Sequence, residues 1–476
     1  MKKYKSLTEV QSLIESKQLN MPDLLAYYLD KIREQPELNA FNEVFVSSAT
    51  EQAVAVQEKI NAGKAGRLAG MVIGIKDNIL YKDHQTTASS KMLDGFIAPY
   101  SSTVVSRLLA EDAVIIGRLN CDEFAMGGSN ETSFFGPVRN AADNQRVAGG
   151  SSGGSAVAVQ ADLCLAALGT DTGGSVRQPA AFCGCFGLKP TYGRISRYGV
   201  IAYASSFDQV GTLTSSVSDA ALLMEILAGA DAYDSTVSAK SVPVYSEELN
   251  SPGKQRIAVL KETMESEALD PETKHAILQA IAGFRAAGHQ VDEVSFDLLD
   301  YLVPAYYVLT AAEASSNLSR YDGVHYGYRN LQAENLNSLY KKSRAEGFGT
   351  EVKRRIMLGT FVLSAGYYDA YYQKAQQVRR LIRERVEALF TNYDLILTPV
   401  APTPAFKIGE NMQDPLVMYM ADIFTVLPSL SGIPSIAVPL GNNQAGLPLS
   451  LQLSAKHFNE GLLLAFTAGF KAEAYT

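Results

Sequence analysis

The sequence has no tryptophan, only four cysteines and only five histidines in 476 residues. So few thiols, Cys121, Cys164, Cys183 and Cys185, exclude a disulfide-stapled fold. Cys183–Gly184–Cys185 lacks the spacing of a zinc knuckle and has no second Cys or His pair nearby. Buried, inert thiols and no metal are expected. The histidines, His84, His275, His289, His325 and His457, stand in no obvious general-base context, which disfavours a Ser–His–Asp triad. Positive charge is not in excess either: 42 Lys and Arg face 50 Asp and Glu, for a net charge of −8. That balance excludes a basic nucleic-acid footprint, so an RNA partner would be held mostly by another chain. No apolar run reaches the roughly 18 residues needed to span a bilayer. The stretch 156–168 is broken by Gln160 and Asp162. Lys2, Lys3 and Lys5 run into the polar Ser6–Leu7–Thr8–Glu9 without the apolar centre of a secretory signal. A cytoplasmic location without membrane contact is expected. No repeat, low-complexity segment or Pro-rich linker divides the chain.

What is present is an alternation of helical and strand patterns. Ser6 and Glu9 form a capping box before Val10, Leu13 and Ile14. Residues 21–34 place Leu24, Leu25, Tyr28, Leu29 and Ile32 at helical spacing. From about residue 70, short apolar runs predict buried strands: 71–75, 114–116 and 164–168, with a helix at 103–111 between the first two. A helix begun in a glycine-rich loop is expected to continue through Val157–Gln160, and Ser218 is expected to cap another. The second half repeats the pattern. Strands are predicted at 256–260, 290–294 and 394–397, a helix after Asp270–Pro271, and a long helix at 367–391. The polar stretch 231–252 reads as a surface excursion. Alternating elements predict an α/β layered sheet.

Two clusters carry the chemistry: Gly149–Gly150–Ser151–Ser152–Gly153–Gly154–Ser155 and Asp171–Thr172–Gly173–Gly174–Ser175. Glycine lets a backbone approach a ligand and aim several N–H groups at one anion, a phosphate or the oxyanion of acyl transfer. A flexible linker is disfavoured because both clusters adjoin apolar elements. A phosphate loop is disfavoured because no lysine follows in Walker spacing. Residues 149–153 spell G-x-S-x-G, but that nucleophile elbow needs a buried strand before the serine, and 143–148 is too polar.

Without histidine, a serine nucleophile needs another base. Lysine serves if its pKa falls by about three units, a cost of about 4 kcal/mol that requires burial. Lys76, at the end of the apolar run Val72–Ile75, is placed for this. Alternatively, it simply leaves the core for solvent at the strand end.

The segments Gly74–Ile75–Lys76–Asp77–Asn78, 149–155, 171–180 and Gly187–Leu188–Lys189–Pro190–Thr191 resemble, in this order, the amidase signature family. The resemblance implies that Ser175 attacks an amide carbonyl, that Ser151 relays the proton and that Lys76 is the base. Backbone around Thr172, Gly173 and Gly174 would form the oxyanion hole. A cis peptide bond is implied before Ser151, with Ser152 and Ser155 left as capping or packing groups. The implied fold is a single α/β domain spanning 1–476, a mixed central sheet with helices on both faces. Helices at about 1–65 would precede a Gly/Ser-rich catalytic core at about 66–215, and the remainder would complete the sheet and the substrate pocket.

Within that family, the segments 120–127, 191–199, 354–360 and 364–372 resemble the branch that hydrolyses glutamine for tRNA-dependent amidation. One departure is Thr212, where the resembling sequences usually carry proline. For that branch, Arg355 would hold the α-carboxylate of glutamine and Asp422 its α-amino group, with Tyr306 lining the pocket. The bland alternative for Arg355 is a pair with Glu351 on one helix face, while Asp422 sits in an apolar run and needs a partner. The resemblance further implies a heterotrimer with subunits B and C. Misacylated Glu-tRNA(Gln) or Asp-tRNA(Asn) would be held mainly by the B subunit, with ATP and Mg at that partner and no cofactor in this chain. The rivals are a stand-alone amidase for other small amides and a non-catalytic scaffold of the tRNA complex.

Overall fold

The computed structural model describes residues 3–250, 252–411 and 414–470. In chain order its strands are β1 (Phe41–Val44), β2 (Val72–Lys76), β3 (Val114–Leu119), β4 (Arg139–Asn140), β5 (Asp143–Val147), β6 (Ala166–Asp171) and β7 (Phe186–Lys189). They continue with β8 (Gln209–Thr214), β9 (Arg256–Leu260), β10 (Gln290–Val294), β11 (Leu395–Pro399), β12 (Ser435–Asn442) and β13 (Pro448–Ala455). Eleven of them form one mixed sheet in the order β1-β3-β2-β6-β8-β7-β12-β13-β11-β9-β10. β3, β2 and β6 run parallel at one end, β11, β9 and β10 at the other, and antiparallel pairs join the two groups.

Strand alternation shows why both faces are covered. Successive side chains of a strand point to opposite sides. Ile257 and Val259 of β9 join one apolar cluster with Ile277, Ile281 and Phe284 of the helix Pro271–Ala286. Ala258 and Leu260 join another with Ile382 and Val386 of the helix Lys374–Leu389. The expected mixed sheet with helices on both faces is therefore present.

Local patterns translated well where the period was clean. The helix Met21–Glu34 buries Met21, Leu24, Leu25 and Tyr28, and β9 and β10 span the expected residues. Two expectations need correction. The helix Val217–Leu227 is capped by Ser216, whose hydroxyl accepts the Asp219 N–H, and Ser218 lies inside the first turn. The segment 367–391 starts in π-helical form over Tyr368–Gln373 before becoming the α-helix Lys374–Leu389. Residues 143–147, as their polarity implied, are not a buried strand of the main sheet but pair with β4 in a separate two-stranded hairpin. The described part of the polar stretch, residues 231–250, is anchored to the core by the buried Tyr245. All four cysteines are buried and free, and burial pushes the Cys121 thiol up to about 12.

Candidate active site

The site lies at the C-terminal ends of β2 and β6, where ligands of parallel sheets gather. Lys76 is the last residue of β2, with no solvent exposure. Its Nζ lies 2.7 Å from Ser151 Oγ, 2.9 Å from Ser152 Oγ and 3.4 Å from Thr170 O. Burial brings the amine down to about 8, with Cys121, Asp122, Asp171 and Asp208 only partly opposing the fall. The neighbouring Asp77 does not pair with it. That carboxylate is taken by Arg118 Nη1 at 2.8 Å and by the N–H groups of Thr87 and Ser89.

The glycine-rich loop reaches Lys76 through a tight backbone passage. The Gly150–Ser151 peptide is cis. A Cβ on Gly150 would collide with the Asp122 carboxylate, so only glycine fits there. The Asp122 N–H donates to Ser151 O at 3.1 Å. Its own carboxylate, raised by burial, accepts from Asn130 N and from Thr132 N and Oγ1. Gln178 ties the loop to the next wall, accepting from Gly150 N at 2.8 Å and donating to Gly128 O at 2.7 Å.

The second cluster is a turn built on Asp171, the last residue of β6. Its buried carboxylate accepts the N–H groups of Gly174 and Val176 and pairs with the buried Arg177 at 2.9 Å. Burial alone would raise that carboxyl, but the Arg177 charge and hydrogen bonds hold it below its usual value. Arg177 also reaches Thr425 O, Gln452 and Ser429, locking the turn to the far half of the sheet. Ser175 follows at 7% exposure, and its hydroxyl makes no hydrogen bond among the described residues. Its carbonyl accepts the Ser152 N–H at 3.1 Å, which joins the two clusters. The N–H groups of Thr172, Gly173 and Ser175 are unengaged among the described residues, whereas that of Gly174 is held by Asp171 at 2.9 Å. Gly174 therefore serves the turn: its φ is +136°, and a Cβ there would strike Thr425. Free donors in the expected oxyanion region come from Thr172, Gly173 and Ser175.

A pocket of about 250 Å³ has walls that include Gly128, Ser129, Tyr307, Glu351, Arg355 and Tyr419, and Gln178 ties its Gly128 to the glycine-rich loop. Arg355 is 5% exposed and lies near the rings of Tyr203, Tyr307 and Tyr419. Its Nε pairs with Glu351 at 2.8 Å, so the simple helix-face pair exists. Its Nη1 donates to Tyr203 Oη, and its Nη2 donates to nothing among the described residues. Asp422 accepts from Tyr307 Oη at 2.7 Å, which supplies the partner its apolar neighbourhood demanded. Burial brings its carboxyl up to about 7, opposed by the Tyr307 hydrogen bond and the Arg355 charge. Tyr306 packs over Gly173 and lies edge-on to Tyr307, with ring centroids 5.1 Å apart. The ring that meets Asp422 is that of Tyr307, which no local pattern in the sequence singles out.

A family model described as amidase matches residues 23–464. The chain belongs to the amidase family. This amidase is 50% identical over 454 residues to the A subunit of glutamyl-tRNA(Gln) amidotransferase from Koribacter versatilis, covering 95% of this chain and 94% of that one. It is 49% identical over 463 residues to the protein of that name from Chlorobium phaeobacteroides strain BS1, covering 97% of each. The crystal structure of the same amidotransferase subunit from Thermotoga maritima superposes with a TM-score of 0.76 at 38% identity. That match covers 94% of this chain and 93% of that one.

The amidase fold thus places Lys76 beside Ser151, with Ser175 joined to the same loop through Ser152, and puts Arg355 in the pocket wall, with Asp422 and Tyr306 behind it against Tyr307. Sequence reasoning missed Ser152, Asp171, Asp122, Arg177 and Tyr307. Asp171 carried a usable signal: an aspartate just before a Gly-Gly turn is positioned to accept that turn's N–H groups. A second buried lysine, Lys189, differs from Lys76 in its partners. Burial, then the Arg177 charge, brings Lys189 to about 7, yet among the described residues its Nζ meets only the carbonyls of Ile433 and Pro190. Among the described residues, no helix is long and apolar enough to cross a membrane.

Proposed function

We propose that this chain hydrolyses glutamine through Ser175, Ser151 and Lys76. The ammonia would serve a partner that amidates misacylated Glu-tRNA(Gln), Asp-tRNA(Asn) or both. The observation that carries the reading is the fully buried Lys76 amine, 2.7 Å from Ser151 Oγ and depressed to about 8. A base poised near the working pH needs such a shift. In the proposed course, Ser175 Oγ attacks the amide carbon and its proton passes to Ser151, while the Ser151 proton passes to neutral Lys76. N–H groups of Thr172, Gly173 and Ser175 hold the oxyanion. The protonated relay then returns a proton to the leaving nitrogen, ammonia departs, and water cleaves the acyl-enzyme by the same path. The open Ser175 hydroxyl suits this scheme, because catalytic hydrogen bonds often tighten only around substrate.

Glutamine is favoured over a simple amide because charges of both signs lie at or beside the pocket. Arg355, in its wall, has no acceptor for Nη2 among the described residues, and Asp422, bound by Tyr307 through Oδ2, keeps Oδ1, on the side of Gly128, for an ammonium. The relatives' name, which makes each of them one subunit of an amidotransferase, supports an assembly of several chains. The partners are proposed to be subunits B and C, with ATP, Mg and most tRNA contact at the first of these, in the cytoplasm. The test is Ser175→Ala in the co-purified complex. Glutamine-dependent amidation should vanish while amidation driven by added ammonium persists. Equal loss with both nitrogen donors would assign Ser175 a structural or coupling role instead.

A further inference from the structure

Among the described residues three groups lie within hydrogen-bond distance of Lys76 Nζ, but only Ser151 belongs to the proposed relay. Counting protons shows what the other two do. A serine hydroxyl has one proton to donate and two acceptor positions. Ser152 Oγ donates to Thr170 O at 3.2 Å and accepts from Thr170 N at 3.3 Å. Its proton is committed, and its remaining acceptor position faces Lys76 Nζ at 2.9 Å. Thr170 O, at 3.4 Å from Nζ, is a carbonyl and can only accept. Neither group can give Lys76 a proton, and both can take an N–H from it.

A neutral amine has two N–H groups and one lone pair. With Ser152 Oγ and Thr170 O taking the two N–H groups, the lone pair is left for Ser151. We infer that Ser152 is a positioning residue that, with the Thr170 carbonyl, fixes the rotation of the Lys76 amine so that its lone pair faces the Ser151 hydroxyl. The cradle fits both halves of the cycle. When Lys76 takes the Ser151 proton, the resulting ammonium donates to Ser151, Ser152 and Thr170 O without moving.

Ser152 has the freedom for this task. It sits at the N-cap of the helix Gly153–Gln160 but makes no side-chain cap hydrogen bond. Gly169 leaves room for it, since a Cβ there would come within 2.7 Å of Ser152 Oγ. By contrast, among the described residues the Ser155 hydroxyl serves only Leu168 O, at 3.0 Å.

The inference rests on the Lys76 relay, and the experiment separates the two. Glutaminase pH profiles are measured for the assembled complex carrying Ser152→Ala, Ser152→Cys, Ser155→Ala or Lys76→Ala. Loss of one hydrogen bond to the amine predicts a fall in kcat of about tenfold for Ser152→Ala, with little change in KM. The ammonium loses more than the amine, so the acidic limb of the kcat profile should shift to lower pH. Ser152→Cys keeps the shape with a weaker acceptor and should fall between wild type and Ser152→Ala. Ser155→Ala should leave the limb in place, and matching thermal melts would exclude a folding defect. If Ser152→Ala keeps the wild-type kcat and limb while Lys76→Ala is inactive, the positioning role is wrong and the relay stands. If Lys76→Ala keeps the wild-type profile, the relay itself is wrong.

Discussion

Lys76 and Ser151 stand 75 residues apart in the chain, yet their Nζ and Oγ atoms lie 2.7 Å apart inside the protein. The contact joins the end of β2, an interior strand of the sheet, to a glycine-rich loop. Nothing local to either segment requires it, and the proposed proton relay depends on it.

The first prediction concerns the form of Lys76 that works. Burial lowers its amine to about 8, and only the neutral amine accepts a proton. Glutaminase kcat should therefore rise with pH through about 8 and level off above it. Loss of a general base costs roughly 10²–10⁴ in rate, which is the expected effect of Lys76→Ala. Lys76→Arg should be equally inactive, because a guanidinium stays protonated. Rate measurements across pH 6 to 10 (roughly the span set by the ordinary lysine value) test this, and an active arginine variant would sink it.

The second concerns substrate choice. A charge-assisted hydrogen bond contributes about 1.5–3 kcal/mol, so Arg355→Ala should weaken kcat/KM for glutamine by at least about tenfold. Asp422→Asn keeps the shape but removes the charge opposite an ammonium, and should also weaken glutamine. A neutral short-chain amide lacks both charged groups and should be nearly indifferent. Parallel losses with both substrates would favour the general-amidase reading.

The third separates Asp422 from Lys76 by pH. Burial raises the Asp422 carboxyl to about 7, so below that pH it is protonated and presents no charge to an ammonium. KM for glutamine should rise as pH falls through about 7, while the kcat limb reports Lys76. In Asp422→Asn the KM should be high and flat over the same range. A pH-dependent KM that survives this substitution would assign the effect to another group.

The fourth concerns stability alone. Thr212 lies in β8, between β6 and β7, with its hydroxyl buried and without a hydrogen-bond partner among the described residues. A buried unsatisfied hydroxyl costs about 1–3 kcal/mol. Thr212→Val keeps the shape and removes the polar atom, so it should stabilise the protein by about 1 kcal/mol. Denaturant unfolding provides the measure, and a loss of stability would show that the hydroxyl is satisfied.

How much of this was legible in advance varied with the range of the forces involved. The helix Met21–Glu34 and strands β9 and β10 could be read from spacing because each buries one face or one run of residues. Ser216 displaced Ser218 as a cap because both residues have the right chemistry and only the helix start decides between them. The Gly/Ser clusters, read with the family resemblance, singled out Ser151, Ser175 and Lys76.

The sequence by itself determined the residue types: a serine-rich pair of turns, a lysine at a strand end, and an arginine and an aspartate far along the chain. Tertiary structure alone decided their states. The Lys76 amine falls to about 8 only because the surrounding sheet and loops exclude water, and desolvation depends on everything packed around it. Ser152 meets that amine because β2, which carries Lys76, and β6, whose Thr170 holds the Ser152 hydroxyl, are neighbours in the sheet. Tyr307 meets Asp422 from 115 residues away. Strand order and burial are properties of the whole chain, so no local pattern of residues could have fixed them.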